Sequence, residues 1–234
     1  MSSPVTAIIG VGPGNGAAYA HRFAREGHKI ALLSRTQSYL DALAEELDTE
    51  ALGVAADASD PASVQAGLEA VKAKLGPVDN LIYNAGSGVF GSIDKVGAED
   101  LELAWRINTL GLFAATQAVL PDMRAKGAGS IVVTGATASL RGGANFAAFA
   151  QAKAAQRSLA QSTARAVGAD GVHVSLVIVD GMIDLERTRA MMPDAPAEKF
   201  MAPAAIADAV YYLTQQPRSA WTFELDLRPH IEKW

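Results

Sequence analysis

Cysteine is absent from this 234-residue chain, which removes disulfides, thiolate metal sites and cysteine nucleophiles together. Basic clusters are missing as well. Twenty Lys and Arg stand against 25 Asp and Glu, for a formal charge of −5, and that balance argues against a nucleic-acid partner. No apolar run approaches the roughly 20 residues that span a bilayer, so no membrane partner is expected. The start, Met1-Ser-Ser-Pro-Val-Thr6, has neither the basic nor the apolar segment of a secretory signal, and a cytoplasmic location is the expectation. His21, His28, His173 and His230 show no paired ligand spacing, so no metal is expected.

What the chain does have is apolar residues, 50% of the total, and 21 glycines. That is the composition of a compact globular protein. With no repeat, low-complexity tract or linker to divide it, residues 1–234 are read as one domain. Short, partly β-branched apolar runs occur at Val5–Ile9, Lys29–Leu33, Leu52–Ala56, Asn80–Tyr83, Ser130–Val133 and His173–Val179. Continuous runs of this kind suit strands buried on both faces. Helical patterns alternate with them at 15–26, 37–47, 61–75, 99–125, 146–168 and 203–215. Asp60-Pro61 is a start signal for the third, a capping side chain followed by proline. Trp221–Leu227 alternates and is expected to add an edge strand. The order predicts an α/β, Rossmann-type doubly wound domain with a mostly parallel sheet of about seven strands.

After the first run comes Gly10-Val-Gly-Pro-Gly14-Asn15-Gly16, opening into Ala17-Ala-Tyr-Ala-His-Arg-Phe23. Glycines let the backbone turn tightly and approach a pyrophosphate, whose charge is favoured at a helix amino terminus. An ordinary tight turn also uses glycines, but the position between strand and helix favours dinucleotide binding. The second run ends in Ser34-Arg35 with no acidic residue to accept a hydrogen bond from an adenosine ribose. Donors there suit a 2′-phosphate, so NADP is expected ahead of NAD, against the plain alternative of a solvated arginine.

The spacing Gly10-x-x-x-Gly14-x-Gly16, with Asn84-Ala85-Gly86 after the fourth run and Phe149-x-x-x-Lys153 after the fifth, resembles the short-chain dehydrogenase/reductase family along the whole chain. The resemblance implies a nicotinamide cofactor. It implies that Asp57 meets the adenine amino group, that Asn84, Ala85 and Gly86 support the sheet beside the cofactor, and that the Ile183 backbone meets the carboxamide. Two departures stand in the loop itself: Ile9 replaces a usual threonine, and Gly12-Pro13 replaces positions often polar.

Family members work with asparagine, serine, tyrosine and lysine. The asparagine matches Asn108, expected to hold water or a backbone carbonyl near the lysine. The lysine matches Lys153, expected to bind the nicotinamide ribose. Ala136 falls at the serine position and Phe149 at the tyrosine position, with Thr137 and Ser139 nearby. Serine and tyrosine hydroxyls both bond the substrate oxygen, and the tyrosine moves the proton. Phenylalanine has no exchangeable proton. The chain is similar to an atypical subgroup that carries phenylalanine for the tyrosine and keeps the lysine.

A replacement acid is sought in Asp180 and Asp184 of Val179-Asp-Gly-Met-Ile-Asp184. A desolvated carboxyl with a raised pKa would serve, although Asp184 also precedes a helical run and aspartate is a favoured cap. Tyr83, the nearest tyrosine in the motifs, suits the core of a strand. In the family, segment 182–201 covers the substrate. Met191, Met192, Phe200 and Met201 there suit an apolar ligand or ordinary packing. The resemblance further implies a homodimer or homotetramer built on helices 99–125 and 146–168, the latter rich in alanine, although an alanine-rich internal helix reads the same way. These readings converge on an NADP(H)-dependent oxidoreductase that reduces an activated C=C or C=O bond. A cofactor-binding protein with little catalysis is the alternative.

Overall fold

A computed structural model describes residues 3–232. Seven parallel strands form one sheet: β1 (Val5–Ile9), β2 (Lys29–Ser34), β3 (Ala51–Ala55), β4 (Asn80–Tyr83), β5 (Gly129–Ala136), β6 (Val172–Val179) and β9 (Glu224–Leu227). Their spatial order is β3-β2-β1-β4-β5-β6-β9. Two further strands of two residues each, β7 (Met182–Ile183) and β8 (Phe200–Met201), pair separately.

Successive side chains of a strand point to opposite faces, and the core divides accordingly. Ala7 and Ile9 of β1 belong to the core under α3 (Pro61–Leu75), α5 (Gly111–Lys126) and α6 (Ala147–Val167). Ile8, between them, packs with α1 (Asn15–Arg25), α2 (Gln37–Glu46) and α8 (Pro203–Thr214) on the other face. Both faces are therefore apolar, which explains why the strand runs are continuous rather than alternating. The strand order reverses between β1 and β4, and the crevice at the carboxyl ends of these strands is where such sheets take ligands.

Most expected boundaries agree within a residue or two, and Asp60 caps α3 by accepting from the Ala62 amide at 3.0 Å. β5 runs three residues past its expected end, to Ala136, and two others differ for physical reasons. The long helix 99–125 is α4 (Ala98–Trp105) and α5 joined by a π-helical turn, Arg106–Leu110. The last strand begins at Glu224 rather than Trp221. The Thr222 amide is taken by Gln216 Oε1, its carbonyl accepts from Ser175 and lies 2.9 Å from His173 Nε2, and the Trp221 ring stacks on His173. These side-chain contacts occupy the groups a strand would pair. Among the described residues no helix is long and apolar enough to cross a membrane.

Candidate active site

The loop from Gly10 to Gly16 follows β1 and opens α1. Gly10 has φ +92°, and a Cβ there would run into the Ala85 backbone, so only glycine lets the two strand ends approach. A Cβ on Gly16 would meet Val11 Cα at 2.7 Å, which holds the helix start against the loop. Asn84 ties the second strand end to the first, with Nδ2 donating to the Gly10 carbonyl at 2.8 Å. The first turn of α1 carries no acidic residue, and the buried Asn15 Oδ1 has no hydrogen-bond partner. An open helix amino terminus beside a glycine loop that lets backbone approach closely fits the pyrophosphate of a dinucleotide. Ile9, Gly12 and Pro13 leave that shape intact.

Arg35 stands exposed just past the end of β2. Asp57, after β3, accepts from the Ser59 amide and hydroxyl, both at 2.8 Å. Those two bonds, with the charges of Arg35 and Arg106 behind them, hold its carboxyl below the usual range. Asp57 is thus both a turn residue and a fixed negative charge beside Arg35.

Across the sheet, Asn108 lies in the π-helical turn and is fully buried. A π turn leaves carbonyls without their usual helical donors, and side chains fill the gap. Asn108 Nδ2 donates to the Ala104 carbonyl at 2.8 Å, the Tyr83 hydroxyl donates to the Ile107 carbonyl, and Gln156 Nε2 donates to the Asn108 carbonyl at 2.8 Å. The same Gln156 accepts through Oε1 from Lys153 Nζ at 2.9 Å. Gln156 thus joins the Asn108 backbone carbonyl to the lysine. Gln156 is the site residue that motif reading passes over. Its signal is its place on α6, three residues past Lys153 and so on the same helical face.

Lys153 Nζ also donates to the Thr134 carbonyl at 2.8 Å. Both acceptors are neutral, and burial pulls the lysine pKa down to about 7. A Cβ on Gly86 would lie 3.4 Å from Asn108 Oδ1 and 3.7 Å from Lys153 Nζ. Asn108 Oδ1 is buried without a partner. Asn108, Lys153 and the Asn84–Gly86 turn thus meet at one point of the crevice.

Ala136 ends β5, and the Phe149 ring centroid is 5.9 Å from Lys153 Nζ. Neither side chain carries a hydroxyl. Of the nearby hydroxyls, Thr137 donates to the Asp180 carboxylate, while Ser139 Oγ accepts from the Ala136 amide at 3.1 Å and Ser87 Oγ accepts from Asn108 Nδ2 at 3.4 Å. Asp180 also lies 3.6 Å from the Arg228 guanidinium. Tyr83 is wholly buried, and burial pushes its phenol up and out of the range of a useful acid.

Asp184 corrects the expectation on both counts. Its carboxylate takes two bonds from Arg189, at 2.7 and 3.0 Å, which lower its pKa rather than raise it. Nor does it cap the following helix, α7 (Glu186–Met191). The residue preceding that helix is Leu185, whose amide donates to Thr188 Oγ1 at 3.1 Å. The apolar cover is also smaller than expected. Phe200 and Met201 are buried in β8, and Met191 alone of the four stands out as a large exposed apolar side chain. Ile183 lies in β7, paired with Met201. Leu185 from this segment reaches back to the glycine loop, where a Cβ on Gly14 would meet its Cδ2 at 2.7 Å.

The sheet order and the loop at its switch point define a doubly wound α/β protein with a dinucleotide-type crevice. The comparisons make the class specific: the family model described as short chain dehydrogenase matches residues 4–195, and the chain belongs to that family. It is 31% identical over 202 residues to "Inactive 2-(S)-hydroxypropyl-CoM dehydrogenase 2" of Xanthobacter autotrophicus, covering 81% of this chain and 88% of the relative. A short-chain dehydrogenase structure from Rhodopseudomonas palustris is 35% identical with TM-score 0.84, covering 97% of this chain and 99% of that one. A blue fluorescent protein from a metagenomic library, solved in complex with NADPH, is 29% identical with TM-score 0.86, and 97% of each chain is covered.

Proposed function

We propose that this protein is an NADP(H)-dependent oxidoreductase that reduces an activated C=C bond, or less readily a C=O bond, of a small apolar substrate. One observation carries this reading: Lys153 is fully built into its network while positions 136 and 149 offer no O–H. NADPH, when bound, supplies a hydride. Gly10, Gly14, Asn15 and Gly16 would hold its pyrophosphate, and Ser34 and Arg35 a 2′-phosphate. Asp57, Asn84, Ala85, Gly86, Lys153 and Ile183 would line the rest of its path. The NADPH-bound relative supports this cofactor.

Carbonyl reduction develops charge on one oxygen that needs immediate donors. Addition to a conjugated C=C bond spreads the charge before protonation, so a site with no hydroxyl at positions 136 and 149 tolerates it better. With Asp184 paired to Arg189, Lys153 is the group gathered here that titrates near neutrality. Lys153 gives up the proton and solvent returns it, while Asn108 and Gln156 fix its position. Exposed Leu103, Trp105 and Phe113 on α4 and α5 support pairing with a second copy, as a homodimer or homotetramer. The alanine pattern does not add to that argument, because Ala148 and Ala152 pack on Ala104 within the chain. A cytoplasmic location completes the proposal.

The second reading is an NADP-binding protein with little or no catalysis. The missing hydroxyls favour it, and so does a relative whose name calls it inactive. Titration with NADPH and NADH, followed by a panel of enones and dienoyl thioesters, separates the two. The first reading expects NADPH preference and consumption of NADPH above that of a glycine-loop variant. Tight binding with no oxidation across the panel supports the second reading, and no binding of either nucleotide sinks both.

A further inference from the structure

Phe149 does more than omit a hydroxyl, because it is one of three phenylalanines gathered beside Lys153. The Phe90 ring lies 5.4 Å from Phe146 and 5.4 Å from Phe149, with steep interplanar angles, and Phe146 lies 6.4 Å from Phe149. These are the spacings and tilts at which aromatic edges meet aromatic faces favourably. The three rings come from separate places: Phe90 from the loop after β4, Phe146 from the residue before α6, and Phe149 from its first turn. A backbone bridge between Gly91 and Phe146 joins the loop to the helix start.

Two of the rings are nevertheless exposed, Phe90 at 57% and Phe146 at 41%. Both fold back over glycine. A Cβ on Gly88 would meet the Phe90 ring at 3.5 Å, and one on Gly143 would meet the Phe146 ring at 2.7 Å. The result is a ring wall that reaches from solvent to within 5.9 Å of Lys153 Nζ. Its face offers no charge and no hydroxyl, so a polar substrate group gains nothing there, while a flat apolar group stacks at low entropic cost.

We propose that Phe90, Phe146 and Phe149 form an aryl-binding subsite, and that the substrate carries an aromatic ring next to its reducible conjugated bond. This rests on the oxidoreductase reading above and names its substrate class. The test uses NADP⁺-loaded protein, so that no turnover intervenes. Calorimetry compares benzylideneacetone with the straight-chain alkenone of equal carbon count. The aryl ketone is expected to bind about three- to tenfold more tightly, the range that one aromatic contact supplies. Phe90→Ala and Phe146→Ala, both at exposed positions, should each erase most of that preference.

Equal affinity for the two ketones, or a preference unchanged in both variants, overturns the subsite while leaving the oxidoreductase reading in place. Loss of self-association in Phe90→Ala with unchanged ligand affinity would assign the rings to a subunit contact instead. Failure of NADP⁺ itself to bind would overturn the functional reading and the subsite with it.

Discussion

The glycine loop and the lysine site meet on either side of the Asn84–Gly86 turn, and they depend on the sequence in different ways. Around Gly10, backbone atoms make the site. The shape needs a glycine where φ is +92° and close passage beside Ala85, so Ile9, Gly12 and Pro13 can depart from the family pattern without changing it. Around Lys153, single side-chain atoms make the site. Ala136 and Phe149 have no side-chain oxygen and so offer no donor, even though Asn108 in the π-helical turn and Lys153 on α6 are both held in place. A backbone-built site survives drift that a side-chain-built site does not.

The largest effect should come from giving the lysine side back its hydroxyls. Ala136→Ser with Phe149→Tyr is expected to raise ketone reduction by about 10²–10⁴, the usual worth of positioned proton transfer. Initial rates with NADPH check it, and no gain would mean that the crevice differs from its relatives in more than these two atoms. On the cofactor side, Arg35→Ala should weaken NADPH by about tenfold or somewhat more and leave NADH unchanged, as expected for a charge-assisted phosphate contact. Equal losses for both nucleotides would place Arg35 outside the phosphate site.

Gly10→Ala addresses the backbone argument itself. Forcing a side chain into a left-handed position against Ala85 should cost about 1–3 kcal/mol of stability, read by denaturant titration. It should also impair both nucleotides alike. The subtlest test concerns proton supply. Burial lowers the pKa of Lys153 to about 7, so its ammonium form, and with it enone reduction, should decline as pH rises through that value. Gln156→Glu would put a carboxylate on Nζ and move the decline to higher pH by roughly a unit or more. A profile that does not move would separate Gln156 from the lysine.

Stability carries the same signature. A lysine depressed in the fold binds fewer protons folded than unfolded between pH 7 and its ordinary value near 10.4, so its penalty is full below pH 7 and fades as pH rises. Raising the pH from 7 to 9 should therefore raise the melting temperature of the wild type relative to that of Lys153→Met.

Strands and helices were readable because the sheet is buried on both faces, which writes each strand as an apolar run, and because Asp60-Pro61 and the glycines mark turns directly. The glycine loop was readable from its place between strand and helix, and Asn108 and Lys153 from the resemblance to the family. The π-helical turn was not, since the side chains that satisfy its carbonyls, Tyr83, Asn108 and Gln156, are brought together only by folding. Asp184 misled for a similar reason. Its Arg189 partner lies one helical turn ahead, and the ion pair reversed the expected direction of its pKa. The ring cluster was invisible too, because Phe90 and Phe146 lie far apart in sequence and carry no motif.

The most direct test loads the wild-type protein with NADPH and follows its oxidation in a single turnover by benzylideneacetone or by the saturated ketone of the same skeleton, 4-phenyl-2-butanone. The conjugated compound is expected to oxidise the bound cofactor, and the saturated ketone to do so far more slowly or not at all. Oxidation by the saturated ketone at an equal rate would contradict this reading, because a site with no hydroxyl at positions 136 and 149 would then be reducing an isolated carbonyl.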